Sequence, residues 1–315
     1  MMRRQILFRV PTLLVVFCVA SLAGRSVVLG QADAPAPPDK EQAGIESQIR
    51  AATTRASEQG YLLAYRFEKG QSLRMKVIQL VSMETRIDGV DQNVQSRSVS
   101  TRQWDVTAVD RDGNITFVHS VRNVSMWQKV TGQDEIRYDS TKKGEVPEVY
   151  RAIAEKLGKP LSTITMAANG RVVRRENQTP QFDAGIDSLV IPLPGKAVKV
   201  GYCWYTPEKL RIRTKTGLYR TVQLRRQYKL EKVEAGVATI SVTTQVLTPL
   251  DDPQVKSQIV QRLQDGTIRF DIDRGRIVSR QMNLDQRVIG FNGPTSLMHY
   301  LARTREEVLE ETTFQ

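Results

Sequence analysis

Leu73 to Ile87 reads LRMKVIQLVSMETRI, and its alternation decides the fold class. Leu73, Met75, Val77, Gln79, Val81 and Met83 fall on one side of an extended chain, and Arg74, Lys76 and Ile78 on the other. A period of two over this length is the mark of a half-buried β-strand. Trp104 to Val109 and Ile115 to Met126 carry the same pattern on either side of Asp110-Arg111-Asp112-Gly113-Asn114, a turn sequence. Ser162 to Ala167 and Arg171 to Glu176 flank Asn169-Gly170, a dipeptide favoured in type I′ hairpins because it tolerates positive φ. The class that follows is α+β and mostly β: long antiparallel strands in curved sheets, with a few helices packed on them.

These features recur in the same order. Gln103-Trp104-Asp105-Val106, Val109, Gly113 and Ile115 are answered by Gln227-Tyr228-Lys229-Leu230, Val233, Gly236 and Val237. Pro147, Val149, Ile153 and Leu157 share their spacing with Pro253, Val255, Ile259 and Leu263. In each set Pro suits the first helical turn and the apolar residues four apart make one stripe. Glu145 precedes one helix and Asp251 and Asp252 the other, as suits a helix N-terminus. Gly170-Arg171-Val172-Val173 is answered by Gly275-Arg276-Ile277-Val278. The expectation is a two-fold internal repeat, with units over residues 61–176 and 199–315 and a connector over 177–198. From Thr295 the tail fits two readings. Leu297, Tyr300, Leu301 and Val308 make a helical stripe, while Met298, Tyr300, Ala302 and Thr304 alternate as a strand.

Residues 1–30 read as an export signal. Arg3, Arg4 and Arg9 precede an apolar run from Val10 to Ala23 that is shorter than the roughly 20 residues of a membrane span. Cleavage is expected near Ala23 or Gly30, giving a periplasmic or secreted protein without a stable transmembrane span. An uncleaved N-terminal anchor is the alternative. Phe17 before Cys18 does not fit a lipid-attachment site. Gln31 to Lys40 (QADAPAPPDK) opens a linker over residues 31–60, with room for a short helix. The full chain carries +12, and loss of Arg3, Arg4, Arg9 and Arg25 lowers this to +8. Arg211, Arg213 and Lys215 alternate with other residues, as on a solvated strand face or one that attracts anionic surfaces. Nucleic acid is not an expected partner of an exported chain that lacks any nucleic-acid motif. Cys203 would be the one mature cysteine, so no internal disulfide is expected. Between Tyr202 and Trp204 it reads as a small buried residue.

Tyr65-Arg66-Phe67-Glu68-Lys69-Gly70, Asp112-Gly113-Asn114 and Asn169-Gly170-Arg171-Val172 resemble an uncharacterised family of exported bacterial β-rich proteins. That resemblance covers most of residues 61–310 and implies no activity. At fold level the pattern is similar to the LolA/LppX-type periplasmic lipid carriers, which hold acyl chains between a curved sheet and helices. The similarity implies an apolar or amphiphilic ligand.

No catalytic motif is present. His119 and His299 stand far apart in sequence, with His119 read as a core or sheet-surface residue. One Cys and two scattered His make no usual zinc site, and neither a metal nor a cofactor is expected. Asp110 and Asp112, and Asp271 and Asp273, suit turns. Calcium binding or a carboxylate hydrolase is the alternative use of these pairs. The binding residues expected of a cavity between sheet and helices are Trp104, Val106, Ile153 and Leu157 in one unit and Tyr228, Leu230, Ile259 and Leu263 in the other. Ile153 and Ile259 would pack against Trp104 and Tyr228. The resulting expectation is a non-enzymatic envelope protein that binds an apolar ligand. The alternative is a structural or interaction module that binds an envelope protein or polyanion.

Overall fold

A computed structural model describes residues 60–177, 190–214 and 217–313. The expected export signal, the expected linker up to residue 59, most of the connector and Lys215 lie outside them. Among the described residues fourteen strands form, most of them in one sheet. They are β1 (Tyr61–Leu62), β2 (Gln71–Ile87), β3 (Val90–Val109), β4 (Ile115–Val130), β5 (Ile136–Asp139), β6 (Pro160–Met166) and β7 (Val172–Asn177). They continue as β8 (Ala197–Val198), β9 (Cys203–Arg213), β10 (Tyr219–Glu234), β11 (Val237–Val246), β12 (Asp265–Asp271), β13 (Arg276–Ile289) and β14 (Leu297–Thr313). The order across the large sheet is β7-β6-β4-β3-β2-β14-β13-β12-β11-β10-β9, with β5 beside β4. Two antiparallel meanders therefore meet where β2 pairs β14 along its whole length. β7 and β9 are left as the edges. The tail is a strand, because both neighbours need it for their ladders.

Turn chemistry sets the hairpins. Asp88 and Gly89 both take positive φ, as do Ala235 and Gly236, which is the type I′ signature. At Asn169-Gly170 only Gly170 is left-handed, so the expected type I′ turn is replaced by a turn closed from Gly170 N to Ala167 O. Asn169 instead accepts from Arg171 N through its side chain.

The sheet curls around a strap. Tyr65 N donates to Ala168 O in the β6–β7 turn (2.6 Å), and the next residue, Arg66, donates from N to Gly275 O in the β12–β13 turn (3.0 Å). Laid flat, β6 and β13 would be five strands, about 24 Å, apart. Adjacent residues can reach both turns only if the sheet bends. The docking is close enough to demand glycine. A Cβ on Gly275 would meet Arg66 N at 2.6 Å and Ala64 O at 2.7 Å, and one on Gly170 would meet Ile191 O at 2.3 Å.

The main core lies in this curl. Leu63, Tyr65 and Phe67 of the strap and Val190, Ile191 and Leu193 of the connector fill it. Around them stand Trp104, Phe117 and Ile164 from one meander and Trp204, Tyr228, Leu230, Ile240 and Phe270 from the other. The connector is thus core-forming over its described part, and β8 pairs β1.

Both helices are shorter than their stripes. The first is a 3₁₀ turn (Glu148–Tyr150) followed by α1 (Arg151–Ala154), with no side-chain cap. Tyr150 is its buried residue, stacked on Tyr138 at 6.0 Å, while Val149 is exposed. The second, α2 (Pro253–Ile259), is capped by Asp252, whose Oδ1 accepts from Gln254 N at 2.8 Å.

Candidate functional site

The structure separates the eight residues expected around a shared cavity. Trp104, Val106, Tyr228 and Leu230 lie in the main core. Ile153 and Leu157 pack beside Tyr150 against β4 and β5, and Ile259 packs with Val255 against β9 and β10. Leu263 bridges that last group and one formed by β2, β13 and β14. Ile153 and Ile259 therefore do not cover the aromatics. Trp104 stacks on Phe117 at 4.5 Å, and Tyr228 on Trp204 at 5.5 Å. The aromatics are satisfied within the sheet and strap, because residues 60–70 and 190–198 occupy the space assigned from sequence to the helices.

The void described within this core is small. A void of about 10 Å³ lies among Tyr65, Phe67, Leu73, Met75, Trp104 and Ile277, with Arg276 and Glu306 on its polar side. That is room for about one water.

Beyond this core the inner face turns polar. Glu306 on β14 accepts from Arg280 Nε at 2.8 Å and from Arg102 at 3.2 Å; Arg280 and Glu306 are buried and Arg102 is partly buried. One register row carries Trp104, His119 and Ser162 on β3, β4 and β6, each nearly sealed from solvent. Trp104 Nε1, His119 Nε2 and Ser162 Oγ have no hydrogen-bond partner among the described residues. His119 and Ser162 therefore do not bond each other as a base and nucleophile would. Burial, with Arg102 and Arg175 nearby, pushes the His119 pKa down to about 3, so its ring is neutral near pH 7. Tyr65 is equally enclosed. Its hydroxyl donates to Ile191 O (3.3 Å) and accepts from Ile191 N (2.9 Å), and burial raises its pKa.

The remaining sequence candidates sit in turns or on the outer face. Asp110 Oδ1 accepts from Asp112 N and Asn114 N, and these bonds, with that from the Asn114 amide, hold its carboxyl below the usual range. Asp271 Oδ1 accepts from Arg274 N. His299 Nε2 lies 2.8 Å from Asp285 Oδ1. Among the described residues no group of three or more His, Cys, Asp or Glu is placed to hold a metal ion. Cys203 is free and partly exposed, a correction to its buried reading. It faces out of β9, and Trp204 takes the inward position.

The outer face of β9 and β10 is chemically distinct. Trp204 and Ile212 are buried beneath it, so Tyr205, Pro207, Lys209, Arg211 and Arg213 point outward and are exposed. Register places Arg225 opposite Pro207, Gln223 opposite Lys209, Thr221 opposite Arg211 and Tyr219 opposite Arg213. The Arg211 guanidinium lies 4.2 Å over the Tyr219 ring, and that of Arg225 lies 4.6 Å over Tyr205. No carboxylate shares this stretch of the face, and none of the four cations has an ion-pair partner among the described residues. Glu208, between them in sequence, turns inward and pairs with Arg262 at 3.5 Å. The alternation through Arg211 and Arg213 is visible in sequence. Tyr205, Tyr219 and Arg225 join the strip only through strand register.

No family model matches the chain, and no curated protein does. Among the solved structures that align, two illustrate how low the similarity is. DynF, from the dynemicin biosynthesis pathway of Micromonospora chersina, is 6% identical, with 80% of this chain and 85% of that one covered and a TM-score of 0.21. The translocator domain of the autotransporter NalP from Neisseria meningitidis is 7% identical, with 85% and 97% covered and a TM-score of 0.24. Scores this low carry no argument about fold or function. Among the described residues no helix is long and apolar enough to cross a membrane.

Proposed function

We propose that this chain is a non-enzymatic interaction module of the cell envelope that binds a polyanion through the outer face of β9 and β10. The observation that carries the proposal is the strip of Lys209, Arg211, Arg213 and Arg225, exposed to partly exposed and free of acids. Unneutralised charge of one sign attracts an opposite partner over several ångströms and raises its rate of association. The envelope location rests on the export signal in residues 1–30 and on the resemblance to exported β-rich proteins.

The filling of the interior favours this reading over an apolar carrier. Sites for small ligands occupy roughly 300–1,000 Å³, whereas the void beside Trp104 is about 10 Å³. An acyl chain would have to displace the strap at Leu63, Tyr65 and Phe67.

The test is retention of the full chain on immobilised long-chain polyphosphate, eluted with a salt series, alongside uptake of a fluorescent fatty acid. The expected result is retention that weakens steeply with salt and no saturable uptake. Saturable fatty-acid uptake with no retention would overturn the proposal.

A further inference from the structure

We infer that the ligand is a linear polyanion laid parallel to β9, touching the strip along a line. This rests on the polyanion reading above and goes further by fixing the ligand's shape. Lys209, Arg211 and Arg213 occupy every second residue of an edge strand. At about 3.4 Å per residue, their side chains emerge ~7 Å apart. Pro207 interrupts the series, and Arg225, opposite it on β10, supplies the missing cation. The row from Pro207 to Arg213 is then about 20 Å long.

The next outward cation on β10, Lys229, is paired with Glu231 at 2.7 Å. Further from the edge on the same face stand Thr221, Gln223 and Gln227 on β10 and Thr243 and Gln245 on β11, all neutral. A compact dianion would meet at most two adjacent cations. A flat anionic membrane is best met by a two-dimensional patch, and the charge here is a single line along β9 completed by Arg225 of β10. A chain with repeated charges engages all four at once.

The tyrosines help by posture. A guanidinium stacked on a ring is held flat while its in-plane N–H groups stay open to an acceptor. Arg211 is held in this way over Tyr219, while Arg225, over Tyr205, also donates from Nε and Nη2 to Gln245 Oε1 (3.0 and 2.7 Å) and keeps only its remaining N–H groups for a ligand. The ligand therefore meets two oriented guanidinium groups, with Lys209 between them.

The test measures binding of the full chain to pyrophosphate, to size-fractionated inorganic polyphosphate and to phosphatidylglycerol vesicles at several salt concentrations. The variants are K209Q/R211Q/R213Q, R211K, and R97Q/R303Q as a control on outward cations of β3 and β14. Affinity is expected to rise with polyphosphate length and level off once the chain spans the row, with pyrophosphate weak. The triple variant should lose about tenfold or more, and its slope of log K against log salt should shrink by two to three. R211K, which keeps the charge and weakens the stack, should lose less. R97Q/R303Q should bind like the parent. Thermal melts check that each variant is folded, and an unfolded triple variant hands the test to R211K and the length series. Equal affinity for pyrophosphate and long chains, preference for vesicles, or equal losses in the triple and control variants would overturn the linear inference while leaving polyanion binding in place. Failure to bind any probe would overturn both.

Discussion

Arg102 and Arg280 lie inside the curl of the sheet, while Lys209, Arg211 and Arg213 lie outside it on an open edge. The inner pair shares the buried carboxylate of Glu306. The outer three meet no carboxylate among the described residues and are exposed. A charge taken out of water needs a partner, since the cost of leaving it bare is several kcal/mol. A charge left in water needs none, and pairing there contributes about 0–1 kcal/mol. The inner arginines are thus tied to the fold, and the outer cations are free for a partner. Basic residues with Pro207 also keep the β9 edge from pairing with another copy, a role that needs no defined spacing.

Substitutions should separate the two groups. Glu306→Gln leaves the buried Arg280 and the partly buried Arg102 without that carboxylate and should cost about 3–5 kcal/mol in chemical denaturation. Gly275→Ala forces a Cβ into the backbone of Ala64 and Arg66 at a left-handed position. Strain and overpacking together put its cost at about 3 kcal/mol.

The third expectation concerns acid. His119 is held neutral in the fold, with a pKa of about 3, and titrates near 6.5 once unfolded. Its contribution to stability is complete above pH 6.5 and is lost progressively as the pH falls toward 3. About 2 kcal/mol should go between pH 7 and pH 5, and His119→Gln should flatten that slope. Asp252→Ala removes the α2 cap for about 1 kcal/mol. The smallest effect belongs to the outer strip, where K209Q/R211Q/R213Q should change stability by less than about 0.5 kcal/mol. A large loss there would break the contrast between the two groups.

Much of the sheet is legible in sequence because turns and alternation are local. Leu73 to Ile87 and the hairpins around Gly113, Gly170 and Gly275 stand where they read. The first half of β3 does not, since its inward residues include Ser96, Ser98 and Ser100, which give no hydrophobic contrast. Leu297, Tyr300, Leu301 and Val308 fit a helix equally well, and only pairing with β2 and β13 makes them a strand. The strap is hidden for the same reason, because Tyr65 finds its partners about 100 and 200 residues away. The outer basic strip was half visible, through the alternation of Arg211 and Arg213. The inner triad was not, because Arg305-Glu306-Glu307 reads as solvated and no local signal marks its central residue as buried.

The central claim is that charge on the β9–β10 outer face, and not the interior, receives the ligand. Hydrogen exchange of the full chain with and without long-chain polyphosphate tests it most directly. Added protection is expected in residues 203–213 and 219–227, with residues 63–67 and 97–106 unchanged. Protection centred on the strap or on β3, with none in β9, would contradict the account.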